Sequence, residues 1–208
     1  EPTLRPDWDV IARALADRGL FVNMVTNGVY ADADSARAIA RRAKAAGMCN
    51  VGVSIDGPKA IHDLIRGPGN FERAMQGVAA FVAEGVSVGF MFTVHRLNRD
   101  ALAETYALAV RAGAAMFRVQ LAKPMGNMDD WRSLILDPKQ IPGLLKDIAA
   151  LKTAGPIAVR VGDSLGYYSP QDKVLRGQGW RKRNESWQGC QAGLNAIGIE
   201  AAGNVKRS

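Results

Sequence analysis

The sequence alternates between amphipathic segments and short apolar segments, and this alternation constrains the fold more than any other feature. Four segments have apolar side chains at helical spacing, and each is followed by a run rich in β-branched residues. The predicted helices cover residues 6–19, 33–47, 70–85 and 99–113, and the predicted strands cover residues 20–28, 49–57, 86–94 and 114–126. Repeats of this kind are typical of parallel sheets whose strands are buried on both faces. The pattern therefore predicts an α/β protein, either a parallel barrel or an open doubly wound sheet.

The pattern loosens after residue 126. A further helix is predicted over residues 138–155 and a short strand over residues 157–161. A connector rich in glycine, tyrosine and charged residues follows, and a hairpin with a Gly-Asn turn is predicted to begin at Cys190.

Composition excludes several classes of protein. The chain has 208 residues, of which 48% are hydrophobic and 23% are charged, as in an ordinary globular domain. No apolar run approaches the roughly 20 residues of a membrane span, and no signal peptide is present. Two cysteines do not make a disulfide framework, so we expect a reducing, cytoplasmic location.

The net charge of +7 raises the question of nucleic-acid binding. The basic residues are scattered along the predicted helices except at residues 181–183, and no aromatic-rich ribbon accompanies them. Nucleic acid is therefore not the expected partner, and the charge favours a solvated basic surface or attraction to an acidic peptide.

Polar or glycine-bearing segments follow each predicted strand. They are residues 26–28, 54–57, 93–95 and 124–126. Any one of them could simply turn the chain. Ligands of parallel α/β folds bind beyond the carboxyl ends of the strands, so together these segments predict one pocket.

Three segments, in this order, resemble the radical SAM superfamily: "TNG", "SIDGPKAIHDLIRGPGNFERAMQGV" and "FTVHRLNRD". The branch resembled has a SPASM-type auxiliary-cluster domain and includes peptide-modifying maturases and anaerobic sulfatase-maturing enzymes. The resemblance covers residues 1–126 and returns at 188–208. It implies a partial (βα)6 TIM-like barrel over 1–126 whose first βα unit is missing. The last barrel helix and strand plus a linker would follow over 127–187, and the start of a SPASM/twitch β-hairpin over 188–208.

The resemblance also implies which residues bind S-adenosylmethionine. The leading "EPTLRPD" is similar to the tail of the family's Gly-Gly-Glu-Pro motif, so Glu1 and Pro2 would meet the amino group of the cofactor. Thr26 and Asn27 match the strand end near the methionine and ribose portions.

Ser54 matches the serine that contacts the ribose or carboxylate, and Asp56 shares its turn. Arg66 matches an arginine that pairs with the cofactor carboxylate, which a planar guanidinium can bind bidentately. Thr93 and Val94 lie where the family's adenine-flanking strand ends.

Three other residues are interpreted as structural. His62 is expected to shape a loop, and His95 is expected to be a solvent or loop histidine. Cys49 is expected to be a small buried hydrophobe.

Cys190 resembles the first cysteine of the auxiliary-cluster domain, so it is a candidate ligand of an auxiliary [4Fe–4S] cluster. The family continues from this cysteine through a glycine, here Gly203, to a second cysteine. Ser208 stands at that second position, and a hydroxyl is a poor iron–sulfur ligand.

The resemblance implies a radical enzyme whose main [4Fe–4S] cluster reductively cleaves S-adenosylmethionine to a 5′-deoxyadenosyl radical. That radical would abstract hydrogen from a peptide or protein substrate, with electrons from a donor such as flavodoxin or ferredoxin. The Cys-x3-Cys-x2-Cys motif that holds the main cluster is absent from the sequence. The chain is therefore interpreted as a piece of a larger maturase-like oxidoreductase and is expected to be inactive alone.

Two other interpretations fit parts of the sequence. A conventional TIM-type metabolic enzyme would need a lysine or carboxylate pair at the strand ends, and Lys123 is the lysine so placed. A degenerate, non-catalytic barrel that binds a peptide would explain the missing cysteines and Ser208.

Overall fold

The computed structural model describes residues 1–162, 165, 169–176, 198–199 and 204–206. Helices and strands alternate through most of this part of the chain. They are α1 (Trp8–Ala16), β1 (Asn23–Thr26), α2 (Ala33–Ala45), β2 (Asn50–Ser54), α3 (Lys59–Arg66), α4 (Asn70–Ala83), β3 (Val88–Val94), α5 (Leu102–Arg111), β4 (Met116–Leu121), α6 (Ile141–Ala154), β5 (Ala158–Val161), α7 (Asp172–Arg176), β6 (Gly198–Ile199) and β7 (Val205–Lys206).

Strands β1 to β5 form one parallel sheet in sequential order, and β6 and β7 pair as an antiparallel hairpin. Right-handed crossovers between sequential neighbours place every connecting helix on the same face of the sheet. A doubly wound sheet has helices on both faces, so the strand order favours a barrel-like sheet. The predicted partial TIM-like barrel and its hairpin are confirmed.

The side chains of the strands are fully buried on one face only, contrary to the prediction that both faces would be buried. Phe90, Phe92 and Phe117 are fully buried beneath the helices, where they meet apolar side chains such as Phe81 of α4. The alternate residues of the same strands point to the other face, which we call the concave face. The buried face holds the core, and the concave face carries polar side chains together with the half-buried Met91.

The N-terminal helix also differs from its predicted pattern. Trp8 is buried, but Ile11 and Leu15 are exposed, so the predicted apolar stripe is wrong at these two positions. Arg42 of α2 instead holds α1, because its guanidinium stacks 5.2 Å from the Trp8 ring centroid and donates to both oxygens of Asp9. This contact lowers the pKa of Asp9 to about 2.

Two helices lie in segments for which the sequence pattern predicts no helix. Helix α3 occupies part of the segment that was expected to be a loop, and α7 lies within the predicted connector. A glycine turn follows α3, and α4 begins immediately after it at Asn70.

Helix α4 approaches the turn after β1 so closely that a glycine is required. A Cβ at Gly77 would lie 2.3 Å from the carbonyl oxygen of Gly28, which itself has a φ of +72°. The sequence segments "TNG" and "AMQGV" are therefore coupled by direct contact between backbones.

We expect Gly77→Ala to lower the free energy of unfolding by about 1–3 kcal/mol, because overpacking against a backbone oxygen outweighs the helix-propensity gain. The matched control is Gly143→Ala in α6, where the nearest atom is 3.7 Å from the added carbon. The control should be neutral or stabilising by up to about 1 kcal/mol. Urea denaturation of both variants checks this, and equal stabilities would contradict the contact.

Candidate functional site

The first residue is fixed to the carboxyl end of β1. One oxygen of the Glu1 carboxylate accepts hydrogen bonds from the Thr26 hydroxyl at 2.6 Å and from the Thr3 hydroxyl at 3.0 Å. The other oxygen accepts from the Asn27 backbone N–H at 2.9 Å. Glu1, Thr26 and Asn27 are thus brought together, as the sequence predicts. Pro2 lies beside them in a short 3-10 helix, Pro2–Leu4, and its side chain is exposed.

The turn after β1 is built by the same side chains. The Thr26 hydroxyl also accepts from the Gly28 N–H, and the Asn27 side chain accepts from the Val29 N–H. Tyr30 follows this turn, and burial raises the pKa of its hydroxyl to about 12. The segment therefore presents polar atoms at the sheet edge while its backbone groups are satisfied.

Asp56 is the centre of the next part of the site. Its side chain is buried at 2% exposure and accepts from Arg66 Nε at 2.5 Å and from the Thr93 N–H at 3.3 Å. Its backbone N–H donates to His62 Nδ1, and its carbonyl accepts from the Asn98 side chain at 2.9 Å. One residue therefore connects β2, α3, β3 and the loop after β3.

Asn98 completes this network from the loop after β3. It is fully buried, its amide also donates to the Thr93 carbonyl, and its oxygen accepts from the His95 N–H. His95 Nδ1 accepts in turn from the Leu97 N–H. Asn98 is not among the site residues predicted from the sequence, although an asparagine just after a strand end is a signal of such a cap.

Both histidines are buried, and each ring accepts a hydrogen bond from a backbone N–H at Nδ1. His62 is 0% exposed and His95 is 2% exposed, and burial lowers the pKa of both rings. His95 is predicted to be a solvent or loop histidine; it lies in the loop after β3 but is buried, because the network around Asn98 draws that loop inward. Cys49 departs from its expectation in the opposite direction, since it is exposed at the start of β2.

Arg66 and Ser54 keep polar atoms available beside this network. Arg66 uses Nε for Asp56, and its two Nη nitrogens have no hydrogen-bond partner among the described residues. The Ser54 hydroxyl, half-buried at the end of β2, likewise lacks one within the same part of the chain. Val94 differs, because its side chain lies in the apolar core and only its carbonyl reaches the strand end, where Ala122 N–H donates to it.

These donors and acceptors fit an amino acid linked to a nucleoside. A guanidinium and a hydroxyl suit a carboxylate, and the Glu1 carboxylate suits an ammonium group. They do not fit an iron–sulfur cluster, because no group of three potential ligands from His, Cys, Asp and Glu occurs among the described residues. Cys190, Gly203 and Ser208 lie outside the described residues, so the auxiliary-cluster ligand stays a prediction.

A family comparison removes one of the interpretations left open by the sequence. Residues 1–109 match the family described as the radical SAM superfamily. The chain belongs to the radical SAM superfamily. This membership replaces the alternative of a conventional TIM-type metabolic enzyme, and Lys123 loses the catalytic role that this alternative gave it.

Curated radical SAM relatives are similar over part of their length. The AdoMet-dependent heme synthase of Methanosarcina barkeri is 36% identical over 132 residues, which is 62% of this chain and 37% of that protein. The PqqA peptide cyclase of Ruegeria pomeroyi is 28% identical over 189 residues, which is 86% of this chain and 48% of that protein. The chain therefore spans less than half the length of these relatives.

A solved structure shares the radical SAM fold along the whole chain. Streptococcus suis SuiB, crystallised bound to S-adenosylmethionine, matches with a TM-score of 0.72 at 13% identity. The match covers 100% of this chain and 47% of SuiB. At this identity the likeness shows the fold. Among the residues described, we find no helix with the length and apolar character needed to cross a membrane.

We expect the free energy of unfolding to fall as the pH is lowered from 7.5 to 5.5. Burial depresses the pKa of His62 and His95 in the folded state, so below about pH 6.5 the unfolded chain binds more protons. Each buried histidine contributes a slope of at most about 1.4 kcal/mol per pH unit. Urea titrations across this range measure the slope. His62→Asn and His95→Asn should each reduce it, and an unchanged slope in the double variant would exclude the histidines as its source.

We expect Asn98→Asp to lower the free energy of unfolding by about 2–4 kcal/mol, because a charged acceptor would face the carbonyls of Asp56 and Thr93 in a buried position. The control is Asn50→Asp, whose amide donates to the Ser87 hydroxyl near the surface. Its cost should stay below about 1 kcal/mol. Chemical denaturation compares the two, and a small cost at Asn98 would argue against its bridging role.

Proposed function

We propose that this chain forms the S-adenosylmethionine-binding part of a radical SAM enzyme that modifies a peptide or protein side chain. The observation that carries the proposal is that Glu1 and Ser54 lie at the carboxyl ends of neighbouring strands, where Asp56 also holds Arg66. Their donor and acceptor types complement the amino, carboxylate and ribose groups of that cofactor. Family membership and the name of the similar peptide cyclase support the activity.

Each residue of this group would bind and orient the cofactor. Arg66 would receive the carboxylate with its two Nη nitrogens, since Nε is already used by Asp56. Asp56 would act as a positioning residue that holds the guanidinium and touches no ligand. Glu1 would accept from the amino group, while Thr26 and Asn27 fix its carboxylate.

Thr93 and Val94 would flank the adenine in different ways. Thr93 offers a hydroxyl that accepts from the Gln120 amide at 3.0 Å, whereas Val94 offers only backbone. Pro2 would contribute through its backbone. Ser54 would donate its hydroxyl to the ribose or the carboxylate.

When bound, S-adenosylmethionine supplies a 5′-deoxyadenosyl radical once it is reduced by a cluster. The ligands of that main cluster are not among these 208 residues. We therefore assign to this chain only cofactor binding, substrate positioning and exclusion of water. Cys190 as an auxiliary-cluster ligand, the domain boundaries at residues 126 and 187, and the flavodoxin- or ferredoxin-like electron donor remain predictions, as does the cytoplasmic location.

A second candidate substrate is a tetrapyrrole. Its support is the 36% identity to a protein named AdoMet-dependent heme synthase. The two substrate classes share the cofactor chemistry and differ in what must fit against the concave face.

Anaerobic reduction of the complete gene product in the presence of S-adenosylmethionine tests the activity. Formation of 5′-deoxyadenosine, measured by chromatography, is the expected result. Its absence from a protein that still binds S-adenosylmethionine would favour the degenerate, peptide-binding barrel instead.

We expect Arg66→Ala to weaken binding of S-adenosylmethionine by about 10- to 100-fold, which is the usual cost of losing hydrogen bonds between charged groups. Calorimetry on the complete gene product measures it. The matched control is Arg41→Ala, which removes an arginine paired with Glu84 on the outer helices and should leave affinity unchanged. Arg66→Lys should preserve the ion pair with Asp56 but lose most of the affinity. Unchanged binding in Arg66→Ala would remove this residue from the site.

A further inference from the structure

The concave face contains a cavity at the carboxyl ends of β3 and β4. Its volume is about 430 Å³. Thr93 and Gln120 form part of its polar wall, and Met125 and Met128 form part of its apolar wall. A cavity of this size with a few converging polar groups is typical of a small-molecule or side-chain binding site.

Arg118 enters this cavity from the middle of β4. Its Nε nitrogen is fully buried without a hydrogen bond, and none of the described residues forms an ion pair with the side chain. A buried guanidinium nitrogen without an acceptor costs free energy. Unpaired groups of this kind are characteristic of sites that are completed by a ligand.

The sign of the charge indicates what that ligand carries. Lys123 also lines the cavity, at its exposed rim, and no acidic side chain is among its described lining residues. Two cations with no counter-ion among the described lining residues favour an anionic group, and the planar fork of an arginine matches a carboxylate bidentately.

The sheet register separates Arg118 from Ser54, whereas Thr93, which would flank the adenine, lines the same cavity. Ser54 pairs with Met91, and Met91 pairs with Arg118, so the three residues form one row across the concave face. Arg118 is therefore two strands from Ser54, which is about 10 Å at the usual strand spacing. A group held by Arg118 would lie beside the cofactor, on the same face and in the same row.

We propose that Arg118 and Lys123 form a subsite that binds a carboxylate of the substrate. This inference rests on the proposed function, because it assigns the substrate class of the same face. The carboxylate is either an acidic side chain of a peptide or a propionate of a tetrapyrrole. Arg118 makes the bidentate contact, Lys123 adds charge at the rim, and Gln120 is oriented by its hydrogen bond to Thr93.

The test measures binding to the complete gene product, saturated with S-adenosylmethionine. Two probes carry the carboxylate. The first is a glutamate-rich decapeptide, whose affinity is measured by calorimetry and compared with that of its glutamine counterpart. The second is coproporphyrin III, whose affinity is measured by absorbance titration. Arg118→Gln should weaken one of them at least tenfold, and Lys123→Gln should weaken the same probe severalfold. The control is Arg111→Gln, which removes the same charge from the exposed last turn of α5 and should leave affinity unchanged.

The thermal midpoint separates loss of binding from loss of fold. Arg118→Gln removes the Nε nitrogen that is buried without a hydrogen-bond partner among the described residues, so its midpoint should equal or exceed that of the parent protein. The probe that responds to Arg118→Gln identifies the source of the carboxylate.

The subsite would be overturned if Arg118→Gln and the parent protein bound both probes with equal affinity. It would also be overturned if the parent bound the acidic and neutral peptides equally and coproporphyrin binding did not depend on Arg118. Calorimetry with S-adenosylmethionine on the same samples reports on the proposed function separately. If S-adenosylmethionine did not bind but carboxylate binding still depended on Arg118, the cofactor assignment would be overturned and the subsite would be retained.

Discussion

The site depends on one buried carboxylate. Asp56 receives hydrogen bonds from Arg66 and from the backbone of Thr93, and its own backbone binds His62 and Asn98. These contacts join two neighbouring strands to the helix and loop that follow them. A carboxylate with both oxygens occupied and 2% exposure is held in one position. Because Arg66 donates to this fixed carboxylate through Nε, the orientation of its two Nη nitrogens is also set.

The sheet supplies the second constraint. Its strands follow one another in sequence order, so the connecting helices all pack on one face of the sheet. Arg118 and Gln120 alternate with the buried Phe117 and Val119 on the same strand, which is the simplest expression of this division. A core residue such as Phe117 and a concave-face residue such as Arg118 are therefore adjacent in the chain. They point to opposite faces because side chains alternate along a strand.

The same geometry relates the two proposed subsites. The cofactor group at Glu1, Ser54 and Arg66 and the carboxylate subsite at Arg118 face one concave surface. Their separation of about two strand spacings is suited to a substrate held beside the cofactor. The proposed cofactor residues Glu1 and Ser54 lie at strand ends, and Arg66 ends a helix, whereas the proposed second subsite uses a side chain from within a strand.

The sequence by itself determined the alternation of helices and strands, the parallel sheet and the strand-end motifs, because helical spacing and β-branched runs are local signals. It also selected Ser54, Asp56 and Arg66, through their motif. Only the tertiary structure decided that the Asp56 carboxylate accepts a hydrogen bond from Arg66, that His95 is buried and that the Val94 side chain lies in the core. These outcomes depend on contacts between segments distant in sequence and on which face of a strand each side chain occupies. No local pattern encodes them, because burial is a property of the packed sheet.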